Sequence, residues 1–252
     1  MRPVAWLLAV TALVAATAPV RATEVVSIKT KAAEITVEVD DDLKAQPGLF
    51  ENCVAEAKTW ALQARAEAEQ VARDTPKSNP AQPPWSYDRS YDLRSVVGRY
   101  ISVLREDGVF TGGAHPNSRT DTILWDRTTQ KRISVRPFLK ESADNGPTMT
   151  AMAKLVRAAV AAERKVRGAS DDEMWLKDIQ PSLLKLGPIT LAPSTAANKS
   201  SGFTFHFSPY AVGSYAEGDY VVFVPWTAFK AYLSPEGAAI FDGDRPESDK
   251  DT

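Results

Sequence analysis

Short runs in which apolar and polar residues alternate constrain the fold of this chain more than any other feature of its sequence. Alternation with a period of two is typical of strands that bury one face. The strands predicted from this pattern, and from one continuous apolar run near the C-terminus, lie within residues 24–40, 87–93, 100–104, 120–126, 133–138, 189–191, 203–207 and 221–224. The first of these segments divides into two strands.

Two long segments follow the helical period instead. In residues 49–73 apolar side chains recur every three or four positions, and residues 147–167 repeat this spacing until Gly168. Pro147 suits the first turn of the second helix, and a shorter helix is predicted within residues 171–185. Strands outnumber helices and do not alternate regularly with them. The sequence therefore predicts an α+β fold, with a mainly antiparallel sheet and two long helices packed on it.

The N-terminus has the layout of a secretory signal peptide. Arg2 is followed by an uncharged stretch with an apolar centre, and small residues at Val20 and Ala22 precede a predicted cut after Ala22. An uncleaved membrane anchor is the alternative, but Pro19 and the short apolar length argue against it. We therefore expect a periplasmic or secreted protein with no membrane span after cleavage.

Charge excludes nucleic acid as a partner class. Removing residues 1–22 takes away Arg2 and Arg21 and no acids, which leaves 28 basic against 32 acidic residues, a net charge of −4. A mildly acidic chain without a basic stripe lacks the electrostatic footprint of a nucleic-acid-binding protein.

The chain is expected to divide into four regions. Residues 1–22 are the signal peptide, residues 23–130 and 131–234 are an N-terminal and a C-terminal folded region, and residues 235–252 are a disordered tail. Four prolines within residues 75–85 predict an exposed connection in the N-terminal region.

Cys53 is the only cysteine, so no disulfide can form within the chain. It could be a reactive or intermolecular thiol. Its position on the apolar stripe of the first helix favours a buried cysteine that packs as a small hydrophobe.

The segment Phe110–Asn117 reads Phe-Thr-Gly-Gly-Ala-His-Pro-Asn and follows a predicted strand. Gly112 and Gly113 can take positive φ, so the chain can turn sharply or let another backbone approach. Pro116 pushes His115 toward an extended conformation. The loop either presents His115 and Asn117 to a ligand or is a structural corner whose imidazole bonds a nearby carbonyl or carboxylate.

The second histidine is His206, on the face of residues 203–207 that is predicted to be polar, opposite three phenylalanines. His115, His206 and Asp121 could meet in space as metal ligands, but no metal-binding spacing supports this. The sequence also lacks the serine motif of α/β-hydrolases. We therefore expect no metal, no cofactor and no catalytic residues, although an enzyme is not excluded.

Tyr210, Tyr215 and Tyr220 lie close together in the sequence, with glycines between them. Tyrosine offers a large contact area and a polar tip, which suits a recognition surface. The alternative is a folded connection whose tyrosines pack on the sheet.

Several segments together resemble a known pair of extracytoplasmic domains of unknown function. The matching pieces are residues 101–103, 110–117, 125–126, 131–135, 138–139, 207–212, 215–218 and 221–225. They occur in the order found in RsiV-like proteins, and also in PdaC-like proteins. The resemblance covers most of residues 101–233.

The resemblance implies a stand-alone, exported and non-catalytic module, with residues 23–130 PdaC/RsiV-like and residues 131–234 RsiV-like. Its implied partner is in the cell envelope, either a lysozyme-like protein or peptidoglycan glycan. The predicted ligand-binding residues are Gly112, Gly113, His115, Asn117, Tyr210 and Tyr215. The alternative is an envelope-polymer hydrolase that uses His115 and a carboxylate. The oligomeric state is left open.

Overall fold

A computed structural model describes residues 21–75, 84–170 and 172–249 of the protein. Residues 1–20, most of the predicted signal peptide, lie outside the described residues, as do residues 76–83 of the proline-rich connection. No helix in the described ranges is long and apolar enough to span a bilayer.

Strands of the N-terminal half form a six-stranded sheet in sequential order. Its strands are β1 (Ala22–Lys29), β2 (Ala33–Asp40), β3 (Trp85–Val97), β4 (Tyr100–Phe110), β5 (Asn117–Asp126) and β6 (Lys131–Ile133). Neighbouring strands are antiparallel except β2 and β3, which are parallel. The long helix α1 (Pro47–Asp74) connects these two parallel strands. The prediction of a large, mainly antiparallel sheet is confirmed.

The C-terminal half adds a second sheet and further helices. The sheet contains β7 (Ile189–Leu191), β8 (Gly202–Phe207) and β9 (Tyr220–Pro225), all antiparallel. The helices are α2 (Pro147–Val166), α3 (Trp226–Phe229) and α4 (Pro235–Ile240). In the described residues α1 and α2 have 28 and 20 residues, and the remaining helical segments have six or fewer. The prediction of two long helices on one sheet is therefore confirmed only in part.

Helix α1 packs closely on the six-stranded sheet because its buried stripe is made of small side chains. The stripe contains Cys53, Ala57, Ala61, Ala64 and Ala68. Opposite it, Ile101 and Val103 of β4 belong to the same apolar cluster as Cys53. Burial raises the pKa of the Cys53 thiol to about 12, so this cysteine packs as a small apolar residue, as predicted.

The second sheet lies against the other face of the first. Strand β7 contacts β3, β4 and β5, while α2 packs on β9. Side chains alternate between the faces of a strand, so Ser102 of β4 points away from α1. Its hydroxyl accepts a hydrogen bond from the Leu191 backbone N–H at 3.0 Å. The layers therefore run α1, six-stranded sheet, three-stranded sheet, α2.

Two predicted elements differ from the structure because proline interrupts them. Residues 133–138 were expected to continue in the sheet, but β6 ends at Ile133 and Arg136–Phe138 forms a 3-10 turn. Pro137 has no N–H to donate to a strand ladder. The apolar side chain of Phe138 is buried in the core without being part of a strand. In place of the helix predicted within residues 171–185, the described residues form two 3-10 turns, Glu173–Leu176 and Leu183–Lys185, with Pro181 between them.

The prediction that one face of β8 is polar and exposed is wrong, since every residue of this strand is buried. His206 is 2% exposed, and its Nε2 lies 2.8 Å from the Thr190 hydroxyl oxygen. A strand covered on both faces does not need an exposed polar side. His206 is instead buried with a polar partner.

The predicted tail also differs from the structure at its start. Ser234 caps α4 by accepting a hydrogen bond from the Gly237 N–H at 3.0 Å. Phe241, after α4, is buried against the rings of Phe138 and Phe203. The folded part thus extends beyond residue 235, because one large apolar residue ties the segment to the core.

Candidate functional site

The loop between β4 and β5 is an exposed turn whose shape depends on two glycines. Gly112 and Gly113 have φ of +86° and +157°, and a Cβ placed on either would meet no other described atom within 4 Å. Their role is therefore the sharp turn itself rather than close approach of another backbone. The loop places His115 at the end of the hairpin.

His115 contacts two tyrosines that come from the connection between β8 and β9. Its ring stacks on Tyr215, with centroids 3.7 Å apart and an interplanar angle of 18°. Its Nε2 lies 3.2 Å from the Tyr210 hydroxyl, and its Nδ1 lies 2.9 Å from the Pro116 carbonyl oxygen. Because a carbonyl only accepts, Nδ1 carries the proton, and in the neutral imidazole Nε2 accepts from Tyr210. We call His115, Tyr210 and Tyr215 the aromatic cluster.

Tyr210 is held in an unfavourable backbone conformation at the surface. Its φ is +72°, and it is 54% exposed. Left-handed backbone brings the Cβ of an L-residue too close to the carbonyl oxygen, so bulky residues rarely adopt it. A tyrosine here is therefore maintained by the surrounding fold rather than by local preference.

The connection that carries the two tyrosines is fastened to both neighbouring layers. At its start, the Ser208 hydroxyl accepts a hydrogen bond from the Thr120 N–H of β5 at 2.8 Å. Farther along, the buried side chain of Arg164 on α2 donates to the Val212 carbonyl at 2.8 Å and to Glu217 at 2.9 Å. These hydrogen bonds form a support beneath the aromatic cluster.

Glu217 is the centre of this support. Its carboxylate accepts hydrogen bonds from the Tyr220 hydroxyl, from the Ser214 N–H at 3.0 Å and from the Ser214 hydroxyl at 2.9 Å. These bonds, with Tyr220 the largest contributor, and the charge of Arg164 lower the pKa of Glu217 to about 2. Tyr220 itself is buried, so it belongs to the support and not to the exposed cluster.

The structure brings three of the six predicted site residues into one contact. His115, Tyr210 and Tyr215 form the aromatic cluster, although Tyr210 lies 95 positions after His115. Gly112 and Gly113 shape the loop, and Asn117 is exposed at the start of β5 opposite Val109.

Sequence reasoning missed Arg164 and Glu217. Arg164 continues the apolar stripe of α2, four positions after Val160, so a charge on the buried face was the available signal.

The three candidate metal ligands do not come together. His206 is buried beside Thr190, while Asp121 forms an ion pair with Arg105 at 2.7 Å. Burial, helped by the charges of Arg94 and Arg245, lowers the pKa of His206 to about 3, so its imidazole is neutral. Within the described ranges no group of three His, Cys, Asp or Glu residues could hold a metal ion.

Comparison with known proteins relates part of the chain to a family. Residues 143–227 match the family described as "Protein of unknown function (DUF3298)". This range contains α2, the second sheet, Tyr210 and Tyr215, while the loop with His115 lies before it. No curated protein matches the chain.

Two solved structures share the overall arrangement. A DUF3298 family protein from Pseudomonas aeruginosa PAO1 is 17% identical with a TM-score of 0.55, covering 90% of this chain and 98% of that one. A DUF3298 family member from Bacteroides fragilis NCTC 9343 is 15% identical with a TM-score of 0.51, covering 86% and 94%. At such identities the likeness concerns the fold. The resemblance to RsiV-like and PdaC-like proteins stays a prediction.

Proposed function

We propose that the protein is an exported, non-catalytic binding module that holds a cell-envelope partner through the aromatic cluster. The observation that carries the proposal is the contact of His115 with Tyr210 and Tyr215 at the surface. Tyrosine rings with hydroxyl tips are over-represented where proteins bind one another, because they combine area with a polar end.

The strain at Tyr210 supports binding over packing. A residue kept in left-handed backbone with more than half of its surface exposed gains little from burial. Glycine would adopt the same φ at no steric cost. Strained, exposed side chains cluster at sites that contact ligands.

The contacts of His115 also favour binding over the hydrolase alternative. A general base is usually oriented by a carboxylate on the nitrogen that does not react. In His115 that nitrogen, Nδ1, faces the Pro116 carbonyl, and Nε2 faces a tyrosine hydroxyl. These two contacts hold the His115 ring in place as part of a contact surface, without the carboxylate that would orient a general base.

The class of partner rests on the N-terminal signal pattern and on the resemblance to RsiV-like domains. We propose a periplasmic or secreted location, with a lysozyme-like protein or peptidoglycan glycan as the partner. The net charge of −4 after signal removal suits a basic lysozyme, because complementary charge speeds encounter.

The test is calorimetric titration of the mature chain with a basic lysozyme and, separately, with soluble peptidoglycan fragments. We expect one of these probes to bind. Tyr210→Ala and His115→Ala should each weaken binding about tenfold or more, as loss of a central contact does. Val166→Ala is the matched control, because Val166 is an 82% exposed apolar residue at the end of α2 and outside the cluster.

Two results would contradict the proposal. If both cluster variants bind as well as the parent, the site is wrong. If fragments are cleaved during the titration, as chromatography of the products would show, the protein is an enzyme.

A further inference from the structure

Part of β5 lies at the border of the six-stranded sheet without a neighbouring strand among the described residues. Strand β6 pairs with β5 only at residues 124–126 and ends at Ile133. The part of β5 before residue 124 is therefore an edge strand on this side. An open groove of about 390 Å³ lies along it. We call it the edge groove, and none of the three rings of the aromatic cluster lines it.

The backbone of β5 presents hydrogen-bond acceptors to the edge groove. The Thr120 N–H donates to the Ser208 hydroxyl at 2.8 Å. The Thr122 N–H donates to the Asp121 carboxylate at 2.8 Å, so neither N–H points toward β4. In an antiparallel strand the N–H and C=O of one residue point to the same side. The carbonyls of Thr120 and Thr122 therefore face the groove, and no described residue donates a hydrogen bond to them.

The cover over the Thr122 N–H is local and can be released. It is the side chain of Asp121, the preceding residue, which is 44% exposed. Only Oδ1 of this carboxylate accepts from the Thr122 N–H, while Oδ2 accepts from Arg105 at 2.7 Å. Side chains that cover an edge in this way protect it from unwanted pairing. When Oδ1 moves aside, Thr122 offers both a donor and an acceptor to an incoming chain.

Apolar side chains form the wall of the edge groove. Leu183 and Leu184 line it, and Leu184 is 89% exposed. Leu183 belongs to the core cluster around the second sheet, and the Thr122 hydroxyl accepts from the Ile189 N–H of that sheet at 3.2 Å. The leucines thus lie on the face of β5 that carries the Thr122 side chain. Every second side chain of an added strand would contact this wall.

Arg119 gives the edge groove a direction. It lines the groove at the end far from β6, is exposed, and has no ion pair within the described residues. Asp107, opposite it on β4, is already bonded through both carboxylate oxygens by Arg89. A chain antiparallel to β5 would continue the direction of β6 and bring its C-terminus toward Arg119 after about 13 Å, or about four extended residues. A parallel chain would instead bring its ammonium to this guanidinium, which is unfavourable.

We propose that the edge groove binds an extended peptide with a free C-terminal carboxylate, as an added strand antiparallel to β5. Peptide N–H groups donate to the carbonyls of Thr120 and Thr122, and alternate apolar side chains contact the leucine wall. The carboxylate pairs with Arg119. In strand addition the main-chain bonds supply affinity and the side-chain contacts supply specificity. The site does not depend on the function proposed for the aromatic cluster.

The test is a calorimetric titration of the mature protein with an N-acetylated pentapeptide of alternating valine and threonine that ends in a free carboxylate. We expect saturable binding. The same peptide as a C-terminal amide should bind about tenfold more weakly, because it loses the charge-assisted bond to Arg119. Methylation of the peptide nitrogens that face β5 should abolish binding, because these nitrogens can no longer donate.

Variants of the groove separate its two kinds of contact. Arg119→Gln should weaken binding of the acid peptide about tenfold and leave binding of the amide unchanged. Arg65→Gln is its matched control, because it removes an exposed arginine of α1 that pairs with Glu69. Leu184→Ser should weaken binding of both peptides, whereas Val166→Ser changes another exposed apolar residue and should have no effect.

Tyr210→Ala should bind the pentapeptide normally, so failure of the aromatic cluster and failure of the edge groove are distinguishable. Four results would overturn the proposal: no binding of the acid peptide, equal affinity for the acid and the amide, undiminished binding of the N-methylated peptide, or normal binding by both Arg119→Gln and Leu184→Ser.

Discussion

At the scale of single residues, Tyr210 combines a strained backbone with an exposed ring, so we propose that its side chain serves binding rather than stability. Its left-handed backbone is unfavourable by about 1–2 kcal/mol for an L-residue, while its ring is 54% exposed. The side chain therefore contributes little burial in return for the strain.

We expect Tyr210→Gly to leave the free energy of unfolding unchanged or to raise it by about 1 kcal/mol, because glycine relieves the strain but loses more chain entropy on folding. Urea denaturation monitored by circular dichroism measures this. Tyr220→Ala is the contrast, since that buried ring should be worth about 3 kcal/mol. A loss above about 2 kcal/mol in Tyr210→Gly would show that its ring is packed rather than presented.

The sequence identified the members of the aromatic cluster but not their contact. Glycines, a histidine and closely spaced tyrosines are local signals, so residues 110–117 and 210–220 could each be recognised alone. The stacking of His115 on Tyr215 depends on how two sheets pack, which no local pattern encodes. His206 shows the same limit. Alternation in β8 predicted an exposed polar face, but the packing of the layers buries both faces of this strand.

At the scale of elements, the connection between β8 and β9 depends on one ionised carboxylate. Glu217 has a pKa of about 2 in the folded chain against an ordinary value of 4.5. A carboxyl whose folded pKa is lowered stabilises the fold fully above its unfolded pKa. This stabilisation is lost as the pH falls from about 4.5 toward 2.

We therefore expect Glu217→Gln to lower stability at neutral pH and to lose less stability than the parent between pH 4.5 and 2. Thermal unfolding in a series of buffers across this range measures both effects. Glu163→Gln is the matched control, because it removes a carboxylate from an ion pair with Arg167 at the surface of α2. Parallel pH profiles for the parent and Glu217→Gln would contradict this role.

Element type was more predictable than element extent. The apolar stripes of α1 and α2 recur over many turns, so both helices were recognisable from period alone. The strand predicted around Pro137 and the helix predicted around Pro181 are absent because proline interrupts them. The apolar residues there are buried without forming a regular strand or helix. The segment after residue 235 was misassigned because its attachment rests largely on Phe241.

At the scale of the whole molecule, hydrogen bonds to side chains of the first sheet help to hold the second sheet in place. Besides the bond from Leu191 to Ser102, the Ile189 N–H donates to the Thr122 hydroxyl at 3.2 Å. Both use side chains of the first sheet to satisfy the backbone of β7, a strand of only three residues. The interface between the layers is therefore specified by polar groups as well as by apolar packing.

We expect Ser102→Ala to lower the free energy of unfolding by about 1–3 kcal/mol, because it leaves the buried Leu191 N–H without its acceptor. Guanidinium denaturation of the parent and variant measures the change. Ser118→Ala, at an exposed position of β5, should have little effect. Equal stabilities for all three proteins would show that the layers do not depend on this bond.

The aromatic cluster has a mechanical consequence for the layers. His115 extends from the first sheet, whereas Tyr210 and Tyr215 belong to the chain that leaves the second. A partner that contacts all three rings would therefore bridge the two sheets. Capture of a partner would then resist separation of the layers, and the bound protein would melt at a higher temperature than the free one.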